Sequence, residues 1–285
     1  MWISYHLFMW DITKFDDLLR EVFLNFENNK IINYFFIRYW EGGPHIRIRV
    51  KQESNVTNKL VYQCTKRSID NFFLLSPDSK NVYLDKNDFY LNNFTDGIKV
   101  NPNKMPWYKN GDIVSIDYIP EIQRYGGINL IQTSEQAFIC SSALVKDLLY
   151  MEPTTKKKLF LLFAVFNKIA ISIFKDNTND LELFIQNSKK FWDDFHIDPI
   201  NIKIFDKEKF WDYIFEISSK LVLLDSFNNF LNKLQSIYFY NGISLKYKRS
   251  IIFSQFHMFA NRLGVPISFE LFFYNLKEKE LNFNE

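Results

Sequence analysis

A chain of 285 residues with 47% hydrophobic side chains has ample material for a large core, and its balanced 24% of charged residues excludes a disordered, solvating chain. Its 35 basic and 33 acidic residues leave a formal charge of +2, and no basic run exceeds Lys156-Lys157-Lys158, which argues against nucleic acid as the partner. Two isolated cysteines, Cys64 and Cys140, form neither a disulfide framework nor a metal-type cluster and suit a reducing compartment.

The segment Trp2 to Trp10 is aromatic and β-branched, as a strand should be, and lacks the charged and apolar regions of a secretory signal. Asp11 and Thr13 offer caps for a helix over Lys14 to Phe26, whose Phe15, Leu18, Leu19, Val22, Phe23 and Phe26 share a face. Tyr34 to Trp40 reads as a second strand, Gly42-Gly43-Pro44 as a turn, and His45 to Val50 as a third strand. A helix fits 56–73, and Asp112 to Tyr118 reads as a fourth strand. Between them, residues 75–111 show little periodicity and read as a long loop or insertion. The order β-α-β-β-α-β predicts a four-stranded antiparallel sheet backed by two helices. From Ser134 the period becomes 3.6, with helices near 134–150, 155–175, 180–190, 207–239 with a break, 246–263 and 267–280. The apolar stretch Leu159 to Phe174 is interrupted by Asn167 and Lys168 and reads as a buried helix, not a membrane span. The expectation is one α+β domain over 1–285, the helical C-terminal half packed around the sheet, in a soluble cytoplasmic protein.

On the third strand Ile46, Ile48 and Val50 face one way and His45, Arg47 and Arg49 the other. That polar face is either the solvated side of an antiparallel sheet or an anion cradle, since Arg presents fixed donors and stays charged. The segment Tyr118-Ile119-Pro120-Glu121-Ile122-Gln123-Arg124-Tyr125-Gly126-Gly127 holds a second ambiguity. Glu121 and Arg124 are either a surface pair worth under about 1 kcal/mol, or Glu121 orients Arg124 while the glycines let backbone pass close to a ligand. On the helix near 246–263, Ser254, His257 and Asn261 form one polar line, where a lone His is more often structural than catalytic. His6, His45, His196 and His257 have no metal-ligand spacing, no phosphate-binding or dinucleotide glycine pattern occurs, and Lys246 breaks the nucleophile-elbow pattern begun by Gly242-Ile243-Ser244.

Three segments in order carry a resemblance. Phe35-Phe36-Ile37-Arg38-Tyr39 with Gly43-Pro44-His45-Ile46-Arg47-Ile48-Arg49 is the first. Tyr118-Ile119-Pro120-Glu121, Arg124-Tyr125-Gly126-Gly127, Glu135, Phe138 and Ser141-Ser142 form the second. Phe256-His257-Met258 with Asn261-Arg262-Leu263 is the third. Together, from Trp2 to Leu263, they resemble the elimination domain of lantibiotic dehydratases and the stand-alone thiopeptide-type bacteriocin biosynthesis proteins.

The resemblance implies a metal-free, cofactor-free enzyme that matures a ribosomally made precursor peptide bearing a leader. In the fused dehydratases a glutamylation domain uses charged tRNA to esterify Ser and Thr, and the C-terminal domain eliminates glutamate to leave dehydroalanine or dehydrobutyrine. The family's elimination residues match Arg47, Arg49, Glu121, Arg124 and His257. Arg38, His45, Tyr125, Ser254, Asn261 and Arg262, in or beside these segments, are the expected substrate-binding residues. The resemblance further implies that His45, Arg47 and Arg49 line one cavity with Arg124 and His257, and that a separate glutamylation enzyme acts alongside this chain. Stand-alone relatives include pyridine synthases, which join two dehydroalanines in a formal [4+2] cycloaddition and expel water and the leader. For that chemistry the 75–111 segment, with Met105-Pro106-Trp107-Tyr108, either shapes a larger pocket or is a passive loop. Because all five elimination positions are matched, glutamate elimination is favoured over cycloaddition, and both over a non-catalytic leader-binding module.

Overall fold

The computed structural model describes residues 1–92, 101–195, 197, 200 and 207–282. The chain forms two compact units, Met1–Pro120 and Glu121–Glu285. The first contains β1 (Trp2–Phe8), α1 (Phe15–Asn28), β2 (Tyr34–Tyr39), β3 (His45–Lys51), α2 (Asn58–Leu75), α3 (Pro77–Lys80), α4 (Lys86–Asn92) and β4 (Ile113–Ser115). All strand pairs are antiparallel, in the spatial order β2-β3-β1-β4, as the split β-α-β-β-α-β pattern requires.

Alternation gives the sheet two unlike faces. On one, Phe23 and Phe26 of α1 bring their rings to between 4.9 and 6.3 Å of Tyr34 and Phe36. On the same side the Tyr5 hydroxyl donates to Asn58 Oδ1 of α2 at 2.7 Å. Leu7, Ile46, Ile48 and Val50 are buried there, so α1 and α2 are held by the apolar half of each strand. On the other face the register sets Ser4, His6 and Phe8 of β1 opposite Arg49, Arg47 and His45 of β3.

Local details depart from the sequence reading. Asp11 caps no helix: its carboxylate accepts from Thr13 Oγ1 at 2.6 Å and from Ser79 Oγ of α3 at 2.7 Å. The fourth strand is only three residues long, and the chain beyond it brings the Tyr118 ring to 5.5 Å from Phe35. Residues 75–111 are not a featureless loop, for they contain α3, α4 and a 3-10 turn at Pro102–Lys104. Residues 93–100 of that stretch, like His196, lie outside the described residues.

The second unit is helical: α5 (Gly127–Tyr150), α6 (Thr155–Phe174), α7 (Thr178–Asp194), α8 (Lys207–Leu221), α9 (Asp225–Tyr238), α10 (Leu245–Leu263) and α11 (Ile267–Asn282). The fold is therefore α+β, a four-stranded antiparallel sheet with a helical C-terminal half. The break expected within 207–239 falls at 222–224. α10 touches α5, α6, α7, α9 and α11. Its Phe256 stacks on Phe166 of α6 at 4.4 Å, and its Phe259 on Phe230 of α9 at 6.0 Å. Ser244 caps its first turn and Gly264, in the left-handed region, ends it. Buried Asp180 of α7 accepts from Arg249 of α10 and Tyr238 of α9, tying three helices through one carboxylate. Among the described residues no helix is long and apolar enough to cross a membrane.

Candidate active site

The polar face of β3 is not a solvated one. His45 is fully buried; its Nδ1 lies 2.8 Å from the Gly43 carbonyl, and its Nε2 accepts from Arg47 Nε at 3.1 Å. Both contacts are satisfied by one neutral tautomer, protonated on Nδ1. Burial first, with Arg47 and Arg49 adding repulsion, pushes the ring's pKa down to about 3, against the pull of the Gly43 carbonyl. The Arg47 guanidinium lies 3.5 Å from the centre of the Tyr39 ring and 3.5 Å from Glu41 Oε2. Arg49, also buried, lies 5.2 Å from the Tyr118 ring and 5.7 Å from Phe35. Aromatic faces and a neutral imidazole thus hold two guanidiniums on one side of the sheet.

A second histidine completes this surface. His6, directly across from Arg47 in the strand register, stacks on His45 with ring centres 4.8 Å apart and planes inclined by 18°. Burial, then His45, Arg47 and Arg49, lower its pKa to about 2. Among the described residues neither His6 nitrogen nor the buried Ser4 Oγ has a hydrogen-bond partner. Phe8 lies 4.5 Å from His45 and stacks on Tyr108 at 4.4 Å, extending the column towards the Met105-Pro106-Trp107-Tyr108 stretch. Trp107 packs on Trp10 and Phe89, each at 5.4 Å, and the Tyr90 hydroxyl bridges Gly42 N and Pro106 O. Arg38 is not brought to this surface. Strand alternation turns it to the helix-covered face, where it pairs with Asp16 of α1 at 2.6 Å.

In the helical unit, the loop before α5 turns Arg124 onto α10. Its Nε donates to Ser254 Oγ at 3.2 Å and its NH1 to Glu121 Oε2 at 3.1 Å. Ser254 and His257 are three residues apart on α10, so Arg124 docks one helical turn from the imidazole. The His257 ring meets Glu270 Oε1 of α11 through Nδ1 at 2.9 Å and Trp192 of α7 at 5.0 Å between ring centres. Nε2 has no hydrogen-bond partner among the described residues, and the side chain is 17% exposed.

The remaining expected residues divide. Asn261 is half-buried on the polar line of α10. Arg262 is 1% exposed and turned into α5, where it donates to Ser141 Oγ at 3.3 Å over the Phe138 ring. Tyr125 is buried edge-on against Phe138 at 4.7 Å. Both meet Phe138 of α5. The Gly126-Gly127 pair also has a local reason: Gly126 has φ +97° at the start of α5, and a Cβ there would lie 2.6 Å from Leu130 Cβ. Sequence reasoning missed Ser4, His6, Glu270 and Trp192. The first two needed the β1–β3 register; Glu270 needed the tight α10–α11 turn at Gly264, which brings a residue 13 positions on back beside His257.

Among the described residues no three His, Cys, Asp or Glu side chains cluster as a metal site. No curated protein sequence matches the chain. Among solved structures, the tRNA-dependent lantibiotic dehydratase MibB from Microbispora sp. 107891 is similar at TM-score 0.61 and 16% identity, over 100% of this chain and 28% of that one. The pyridine synthase TbtD from thiomuracin biosynthesis is similar at TM-score 0.59 and 14% identity, over 98% of this chain and 97% of that one. TsrL is similar at TM-score 0.55 and 11% identity, over 100% and 96%. At such identities these likenesses establish the fold. The family described as lantibiotic biosynthesis dehydratase C-term matches residues 2–280, and with the arginine strand, the Glu121–Arg124 pair and the α10 histidine in place, the chain belongs to that family.

Proposed function

We propose that residues 1–285 act as one catalytic domain that eliminates glutamate from glutamylated Ser or Thr of a precursor peptide, leaving dehydroalanine or dehydrobutyrine. The leader-bearing peptide arrives from a separate glutamylation enzyme, and the reaction draws on no metal or cofactor. Nε2 of His257 takes the Cα proton, the C–H electron pair becomes the Cα=Cβ bond, and the Cβ–O bond breaks to release glutamate as its carboxylate. An imidazole is suited to a weakly acidic Cα–H because its ordinary pKa lies near neutrality. The enolate-like charge and the departing carboxylate need preorganised donors, a role for Arg47, Arg49 and Arg124, with Glu121 holding Arg124.

One observation supports this reading: two guanidiniums fixed on one sheet face beside buried polar groups, Ser4 Oγ and the His6 ring, that have no hydrogen-bond partner among the described residues. Buried polar groups are costly unless something satisfies them, and beside two cations that something is an anion. The test is a peptide glutamylated on Ser, followed by mass spectrometry. The protein should release glutamate, and His257→Ala should let the glutamyl peptide accumulate.

A second reading, pyridine synthesis, is favoured by the aromatic group of Trp10, Trp107 and Tyr108, whose Tyr108 stacks on Phe8, the ring that packs on His45, and which could take a conjugated substrate. Under it the glutamylated peptide stays unchanged, while a peptide bearing two dehydroalanines becomes a macrocycle with release of the leader as an amide. Leader binding without turnover of either peptide would leave only a recognition module.

A further inference from the structure

Glu270 sits in the first turn of α11 with none of its surface exposed, and its Oε1 meets Nδ1 of His257 at 2.9 Å. A helix N-terminus favours a negative charge, but the second oxygen, Oε2, is buried with no hydrogen-bond partner among the described residues. A carboxylate enclosed with one partner is a poor structural device, since apolar packing of equal volume serves stability as well or better. What it does supply is an acceptor that commits Nδ1. With Nδ1–H given to Oε1, the nitrogen presented to a substrate is Nε2, unprotonated, in a ring that Trp192 of α7 packs against at 5.0 Å.

We infer that Glu270 is a positioning residue for His257: it holds the imidazole as the Nδ1–H tautomer and stabilises the imidazolium formed when Nε2 accepts a proton. The inference rests on the elimination reading for the identity of that proton, the one on Cα of the esterified residue. The proton moves from Cα to Nε2, the C–H pair forms the new double bond, glutamate departs with the Cβ–O pair, and Nε2 then gives the proton to water. Through these steps Glu270 touches no reacting atom. Its charge lies across the ring from the incoming proton, inside the protein, where a fixed counter-charge acts more strongly than in water.

The test uses the full chain in two independent arms. In the first, 15N-histidine NMR without substrate reads the tautomer of His257, assigned by its loss in His257→Gln. The Nδ1–H form is expected in the parent protein and in Glu270→Gln, whose amide oxygen can still accept. Glu270→Ala should shift the ring towards the Nε2–H form that unrestrained histidines favour. In the second arm, Glu270→Gln should lower kcat on the glutamylated peptide about 10–100-fold with KM within about twofold, since the substrate is not touched. Should Glu270→Ala not fold, the parent spectrum and the isosteric Gln variant decide the matter. An Nε2–H tautomer in the parent protein, or unchanged kcat in Glu270→Gln, overturns the positioning role. If the parent protein itself leaves the glutamylated peptide intact, the elimination reading fails while the tautomer arm still judges the His257–Glu270 relationship.

Discussion

Arg47 and His45 stand two residues apart on β3, and the Nε–H of Arg47 donates to Nε2 of His45 at 3.1 Å while Nδ1 of the same ring is held to the Gly43 carbonyl. The imidazole therefore acts as a strut between backbone and guanidinium. A hydrogen bond to a charged group is worth roughly 1.5–3 kcal/mol. His45→Ala should accordingly lower kcat/KM on the glutamylated peptide about 10–100-fold, and His45→Gln, whose amide oxygen can accept from Arg47, should recover part of it. Activity within twofold of the parent in His45→Ala would remove the strut from the mechanism.

The two stacked histidines make folding sensitive to acid. Burial lowers the folded pKa of His6 to about 2 and of His45 to about 3, both below the ordinary unfolded value. Below pH about 6.5 the unfolded chain binds protons that the folded chain refuses, so stability falls as pH falls towards those folded values. Above pH about 6.5 neither state binds them and the pair adds no slope. Each histidine contributes about 1.4 kcal/mol per pH unit within the window. Urea midpoints should change little between pH 7.5 and 6.5 and decline at 5.8 and again at 5.0, and His6→Phe should remove about half of the histidine slope. Carboxylates contribute little in this range, so an unchanged slope in His6→Phe would contradict the buried neutral ring.

What the sequence reveals depends on the range of the interaction. The alternation of His45-Ile46-Arg47-Ile48-Arg49-Val50 and the period of Ser250 to Leu263 are local, and the structure reproduces both elements. Arg38 shows the limit. It sits beside the motif residues in sequence, but only strand parity and the presence of Asp16 on α1 reveal that it belongs to the opposite face. The partners of Arg262 are hidden for a related reason, since the residue five places beyond His257 lies on a different side of α10 and meets Ser141 and Phe138 of α5. The start of α5 at Gly127, not 134, escapes a propensity argument because Gly, Ile and Thr are weak helix formers, and tertiary packing overrides them. His6 and Glu270 depend on a register and an interhelical turn, which no single-sequence period encodes.

The glycine pair before α5 separates two costs. Gly126 has φ +97° and its added Cβ would lie 2.6 Å from Leu130 Cβ and 3.1 Å from Ile251 Cδ1; Gly127 has φ +71° and open space around it. Gly127→Ala should cost only the left-handed backbone, roughly 1–2 kcal/mol. Gly126→Ala adds a collision that neither partner's backbone can relieve and should cost about 3 kcal/mol or more. Urea denaturation of both variants checks the order; equal costs would mean that the contact with Leu130 relaxes freely.

The proposed reaction draws on Arg47 for charge stabilisation and on His257 as the base. Arg47→Ala should lower kcat about 10²–10³-fold by loss of preorganised charge stabilisation. His257→Ala should lower it about 10²–10⁴-fold by loss of the base. Arg47→Lys sharpens the test. Lysine restores a positive charge but has no Nε–H fork to engage His45 at 3.1 Å or planar face to lie on Tyr39 at 3.5 Å, so it should regain little of the lost rate. Full recovery by lysine would mean that charge alone suffices and that the contacts with His45 and Tyr39 are idle in the reaction.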